Sequence, residues 1–205
     1  MTTSGTSSPI QGLRELKKAK TMRHIQAVAM QLFIQNGFDH VTVEQVAEEA
    51  EVSARTVYRY FTTKEGLVLR DEYDDQVLLA FDYCLREGLA PLEATSAVLS
   101  AVEDDHFVTD EPETKERIRL FFGNSSLRSA GYLRVDEVAD ELAATLVGAT
   151  GVSLLRARVI TTSIVWALVA AIKTWHESSS GPLLPYIKEA IAVLSEADET
   201  RLKAK

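Results

Sequence analysis

Three helix starts crowd between positions 42 and 63, and they constrain this chain more than any other feature. Thr42 is followed three residues on by Gln45, the pairing in which a Thr side chain and a Gln side chain cap each other's backbone N–H. Ser53 and Thr63 are further N-capping residues, and Gly37, directly after Asn36, suits the left-handed residue that ends a helix. The intervening helices have room for only two or three turns, and isolated helices below about 12–15 residues are marginal in water. They must therefore bury their apolar faces against one another and against a longer neighbour.

That neighbour is a first helix expected over about Leu13–Asn36, with Ile25, Val28, Ala29, Leu32 and Phe33 at three- and four-residue spacing. Val43, Val46 and Ala47 would pack on Val52, Val57 and Phe61, leaving Arg55, Thr56, Arg59 and one edge of Tyr58 outward. Two short helices around a tight turn, the second basic and aromatic, fit a helix-turn-helix. Arg can donate twice to a guanine edge and a Thr methyl suits thymine. Tyr hydroxyls and helix starts, such as those at Thr42 and Lys64, suit phosphate oxygens. The same periodicity also fits a head whose arginines are merely solvated.

The stretch Ala27-Val28-Ala29-Met30-Gln31-Leu32-Phe33, Gly37-Phe38, Thr42-Val43, Val46-Ala47, Val52-Ser53, Thr56-Val57-Tyr58-Arg59-Tyr60-Phe61 and Lys64-Glu65-Gly66-Leu67 closely resembles the DNA-binding head of the tetracycline-repressor (TetR) family. The likeness covers residues 14–70. It implies a third helix in the major groove, with Arg55, Thr56 and Tyr58 facing bases or adjacent backbone and Thr42, Tyr60 and Lys64 on phosphates. The basic segment Lys17–Lys20 is open to two readings, a minor-groove arm or a solvated helix end. Residues 157–194 resemble actinobacterial relatives whose bodies are grouped as binding acyl-CoA-like ligands, a shorter likeness resting on apolar spacing.

Charge supports a division of labour. The net charge is −8, yet residues 1–70 hold nine Lys/Arg against seven acids while the remainder holds 13 against 23. A polyanion would meet the head. The fold class expected is all-α: a polar arm over 1–12, a three-helix DNA-binding head over 13–66, and a helical ligand-binding and dimerisation body over 67–200. A fourth helix is expected to run unbroken from Lys64 through Leu78, Phe81 and Leu85. Five more follow at about Leu92–Val102, Glu113–Phe122, Val135–Val147, Val152–His176 and Leu183–Leu194, with breaks including Gly123–Tyr132 and Gly148–Gly151.

Other chemistry is poorly supported. Cys84 is the single cysteine, so no intrachain disulfide forms, and on an apolar helix it reads as a small hydrophobe. His24, His40, His106 and His176 lack the spacing of a helical zinc site, and the acidic run around Glu103–His106 lacks a calcium loop's pattern. No metal or cofactor is expected, and without Walker A, GxSxG or GxGxxG sequences an enzyme reading, metal- or CoA-dependent, is disfavoured. A helical scaffold without DNA affinity is the other alternative. The start lacks an apolar leader, and the longest apolar run, between Arg158 and Lys173, reads as a buried helix, so a cytoplasmic protein is expected.

The partners expected are an operator duplex, a second copy of the chain and a small, partly apolar effector of acyl-CoA-like kind. Phe81, Phe121, Phe122 and Trp166 are candidates to line the effector pocket, with core packing as the competing role of each. Dimerisation is expected through the last two long helices: Val159, Ile160, Ser163, Ala167, Ala170 and Ala171 on one, Ile187, Ala190, Ile191 and Leu194 on the other. An effector pressing on Phe81 would tilt the fourth helix and, through Lys64, move the heads.

Overall fold

The structure is a computed structural model describing residues 9–70, 74–101, 111–178 and 181–203, with side chains described except at 9–16, 74–75, 111–112 and 197–203. Among the described residues every regular element is helical, in two compact units divided between Asp74 and Asp75. The acidic cluster expected around Glu103–His106 and Asp110, and positions 1–8 of the polar arm, lie outside the described residues.

The first unit is built on α1 (Pro9–Asn36), which is longer at its start than its apolar stripe announces. Residues 9–12, expected as arm, are helical, as is Lys17–Lys20, so that basic segment is one turn of helix, exposed at Lys17 and Lys20, rather than an extended arm. Gly37 then takes a φ of 84° and leads into a 3-10 turn at Phe38–His40. α2 (Val43–Glu49) opens on the expected box: the Gln45 N–H donates to Thr42 Oγ1 at 3.2 Å and Gln45 Oε1 accepts from the Thr42 N–H at 2.8 Å. Glu51 adopts a left-handed φ of 53°, and the Val52 N–H reaches back to the Ala47 carbonyl at 2.9 Å. This closes the tight turn into α3 (Ala54–Phe61), capped by Ser53. Ile25, Ala29, Phe33, Val46, Val57 and Phe61 are almost wholly shielded and form the centre of the head.

The fourth helix departs from expectation. α4 (Gly66–Leu69) has four residues and ends where Arg70 turns extended at φ −94°, ψ 151°. α5 (Asp74–Arg86) starts afresh. Lys64 thus lies in the turn before α4 and Phe81 on α5, and no single helix carries both. The Arg70 carbonyl accepts from the side-chain amide of Gln26 on α1 at 2.6 Å, so the end of α4 is capped from within the head. The head also extends past the expected limit at 66, because Leu67 and Val68 are 0% and 1% exposed within it.

The second unit contains α5, α6 (Pro91–Ala101), α7 (Glu111–Gly123), α8 (Ser125–Thr150), α9 (Leu154–Ser178) and α10 (Leu184–Lys203). One core joins Phe81, Leu85, Ala94, Val98, Ala143, Leu146 and Ala157; a second joins Ala171, Trp175, Leu183 and Ile187. α8 overrides the expected break at Gly123–Tyr132. Asn124 caps it, Gly131 is buried inside it, and the helix runs past Gly148 to Gly151 in the left-handed conformation. Small residues let α8 and α9 approach closely: Thr161, fully buried, donates from Oγ1 to the Ala139 carbonyl across the helices at 2.8 Å. At the surface Arg158 meets both Asp140 oxygens, at 3.0 and 3.2 Å.

α9 also corrects the reading of the apolar run as buried. It is long and apolar enough to cross a membrane by length and composition, and only 28% of its most apolar stretch is buried within the chain. Its inner face supplies Ala157, Thr161, Ile164, Ala171 and Trp175 to the core. Its other face leaves Leu155, Val159 and Trp166 exposed.

Candidate nucleic-acid interface

α3 is strongly two-sided. Val57 and Phe61, one turn apart, are 1% and 0% exposed, whereas Arg55, Tyr58 and Arg59 face solvent. The inner side is fixed by the α1 and α2 core; the outer side has the width of helix that fits a major groove. Ser53 secures the start: its Oγ accepts from the Thr56 N–H at 3.1 Å and lies 2.9 Å from Thr56 Oγ1. Thr56 is half-buried, and its hydroxyl is engaged by the cap, so the methyl is the part of its side chain left for other contacts.

At the other end of α3 the Arg59 Nη2 donates to the Tyr60 hydroxyl at 3.1 Å, and the guanidinium lies 4.7 Å from the ring centre. Tyr60 and Arg59 therefore present a coupled cation and hydroxyl. Arg59 is exposed, as its place on the outward face leads one to expect, but it is not among the six expected contact residues. Its four-residue spacing from Arg55, one helical turn, is the signal that places both on one row.

Thr42 is exposed at the start of α2 with its side chain committed to the capping box. Lys64 stands not at the start of a long helix but in the turn before α4, where Thr63 Oγ1 accepts from the Gly66 N–H at 3.1 Å. Its ammonium sits over Phe38 at 4.3 Å from the ring centre, and Phe38 packs on Phe33 at 4.9 Å. The aromatic pair supports the lysine stem and fixes where its charge emerges. All six expected contact residues thus belong to the head, at the N-cap of α2, on α3 and in the turn that follows.

The expected effector residues are not brought together as a set. Phe81 is 3% exposed in the α5, α6, α8 and α9 core. Phe121 and Phe122 pack edge to face on α7, and Phe121 meets Tyr132 of α8. Tyr132 stacks on Trp166 at 5.7 Å, and Phe122 stacks on His176 at 4.5 Å with the rings 16° apart. An aromatic row therefore runs His176, Phe122, Phe121, Tyr132, Trp166, in which sequence reasoning missed Tyr132 and His176, while Phe81 belongs elsewhere. Trp166 is 42% exposed at the end of that row. Among the described residues no group of three His, Cys, Asp or Glu side chains is placed to hold a metal ion.

Comparison with known proteins agrees with this layout. Residues 25–70 match the family described as bacterial regulatory proteins, tetR family, and residues 89–198 match the MftR C-terminal domain. The chain is 33% identical over 149 residues to the HTH-type transcriptional regulator TcmR of Streptomyces glaucescens, an alignment covering 70% of this chain and 66% of that protein. An HTH-type transcriptional regulator of Haemophilus influenzae is 28% identical over 140 residues, covering 64% of this chain and 66% of its own length. The chain thus spans slightly less than two thirds of these relatives. In fold it is similar to a transcriptional regulator of Aquifex aeolicus, with a TM-score of 0.51 and 16% identity over 86% of this chain and 99% of that one. The chain belongs to the tetR family of bacterial regulatory proteins, with a helix-turn-helix head and a C-terminal domain of the MftR type.

Proposed function

We propose that the protein is a cytoplasmic transcriptional regulator that binds a pseudo-palindromic operator as a homodimer, represses from it, and releases it when a small effector occupies the body. The observation that carries this reading is α3, sealed on one side by Val57 and Phe61 and open on the other through Arg55, Tyr58 and Arg59. In this reading Arg55, Thr56 and Tyr58 approach bases, while Thr42, Tyr60 and Lys64 hold phosphates and Arg59 adds a further cation. One such helix reads few base pairs, so a specific complex needs two heads on two half-sites.

The second copy docks on α9 and α10. Leu155, Val159 and Trp166 lie at four- and seven-residue intervals along the exposed face of α9, and Val193 of α10 is also exposed. Ser163 and Ala170 complete that stripe, but Ala171 and Ile187 of the expected interface are buried within the chain. Exposed Arg156, Arg158, Lys173 and Thr174 interrupt the same helix, which suits a protein partner with a polar rim and would be costly in lipid.

The effector is an elongated, partly apolar molecule of the acyl-CoA-like class, and the aromatic row from Phe122 to Trp166 is its proposed contact surface. Coupling of about 1–3 kcal/mol would change operator affinity by about 5–150-fold. The test is selection of a duplex from a randomised pool, followed by titration of its complex with dodecanoyl-CoA and with CoA alone. Release by the acyl form supports the reading. Retention with both removes the acyl-CoA effector, and failure to select any duplex removes DNA binding.

A further inference from the structure

Arg59 follows Arg55 by one turn of α3 and is exposed, but its guanidinium is already engaged. Its Nη2 donates to the Tyr60 hydroxyl oxygen at 3.1 Å, and its central carbon lies 4.7 Å from the centre of the Tyr60 ring. Reading a guanine edge takes two N–H groups of one guanidinium aimed together at the base. A guanidinium laid against a tyrosine ring, with one nitrogen spent on the hydroxyl, is held off that geometry. Tyr60 is the anchored partner of the pair. It is half-buried, and its ring meets Phe61 at 6.4 Å and 73°, with Phe61 itself wholly shielded in the head.

The direction of the hydrogen bond decides what the phenol can do. A guanidinium carries donors only, so the Tyr60 oxygen accepts and the phenol's own proton is turned away from Arg59. An unengaged tyrosine hydroxyl serves as donor or acceptor; this one is preset as a donor. Hydrogen bonds in a chain polarise one another, so accepting from a cation strengthens the O–H for its next partner. A backbone phosphate oxygen accepts and never donates. The remaining N–H groups of Arg59 and the O–H of Tyr60 therefore suit one anion, with a single positive charge beside it.

We propose that Arg59 is a positioning residue for Tyr60: it orients the hydroxyl as a donor, and the pair clamps one backbone phosphate in each half-site rather than reading a base. The proposal rests on the DNA-binding reading above and concerns the head alone. It separates two arginines that share a row, Arg55 toward a base and Arg59 toward the backbone.

The test uses the full chain and its selected duplex, with affinity measured across a range of salt concentrations for wild type, Tyr60→Phe, Arg59→Ala, Arg59→Lys and the double variant Tyr60→Phe with Arg59→Ala. Tyr60→Phe removes a neutral donor, so binding should weaken about tenfold per head with the salt slope unchanged. Arg59→Ala removes a charge and should make the slope shallower by about 0.9 per head. Arg59→Lys keeps the charge without the planar fork, so it should restore the slope but not the full affinity. Without Arg59 to orient the hydroxyl, Tyr60→Phe should cost only about threefold or less per head, a coupling that a residue serving stability alone would not produce. An equal cost of Tyr60→Phe in the wild-type and Arg59→Ala proteins, both shown to be folded by thermal melting, would overturn the proposal. So would a wild-type slope in Arg59→Ala, or loss of preference at one base position in either single variant. Failure of the wild type to bind any duplex with salt-dependent affinity would instead strike the DNA-binding reading itself.

Discussion

Gly66→Ala should cripple the head alone. An added Cβ would stand 2.0 Å from the Phe61 carbonyl oxygen and 3.0 Å from its carbon, both backbone atoms. Relief needs a displacement of about 1 Å between segments whose side chains Phe61, Leu67 and Val68 are all at most 1% exposed. Overpacking into a tight core costs about 1–3 kcal/mol, and a clash with backbone on both sides belongs at or above the top of that range. The unit Met1–Asp74 can be expected to hold about 4–11 kcal/mol in total at 0.05–0.15 kcal/mol per residue. A loss of about 3 kcal/mol is thus a large part of its stability. Gly148→Ala is the control: it lies inside α8 with nothing within 4 Å of the new Cβ, and should be neutral or stabilising by about 0.5–1 kcal/mol. Urea unfolding followed by near-ultraviolet circular dichroism, with calorimetry to separate the units, measures both. A loss below about 1 kcal/mol at Gly66, or an equal loss at Gly148, would refute the packing argument.

Three further substitutions probe the two units. Ser53→Ala removes the acceptor for the Thr56 N–H and should cost about 1 kcal/mol of head stability, seen as a lower urea midpoint with unchanged slope. Thr161→Val keeps shape but loses the bond to the Ala139 carbonyl, so the body should lose about 0.5–1.5 kcal/mol in the same assay. Val159→Glu alters a residue that is 59% exposed in one chain; it should shift folding by less than about 0.5 kcal/mol yet yield monomers by light scattering. A Val159→Glu dimer as tight as the wild type would remove α9 from the interface.

The head was legible because its sequence punctuation is local. Thr42 with Gln45, Ser53 and Gly37 each specify a backbone event within three or four residues, and the structure places a cap or left-handed residue at every one. The body is less legible because its decisive facts are non-local. Gly131 looks like a break in sequence, but it is buried within the uninterrupted helix α8. The apolar spacing of Leu67, Leu69 and Leu78 continues across a helix end, since periodicity does not register the extended residue Arg70 that stops α4. Aromatic character alone does not separate Phe81, deep in a core, from Trp166, 42% exposed. Nor does a stripe of small and branched residues reveal which side is already used: Ala171 and Ile187 serve the chain's own core, while Val159 does not.

The central claim is that the open face of the head binds duplex DNA through its cations and one base-reading row. The direct measurement is the salt dependence of affinity for the selected duplex, in wild type, Lys64→Ala and Arg55→Ala. The account predicts a linear fall of log affinity with log salt concentration, made shallower by about 0.9 for each head when Lys64 is removed. Arg55→Ala should cost about 1–3 kcal/mol per head and relax preference at one base position. Affinity independent of salt, or a Lys64→Ala protein with the wild-type slope, would contradict it.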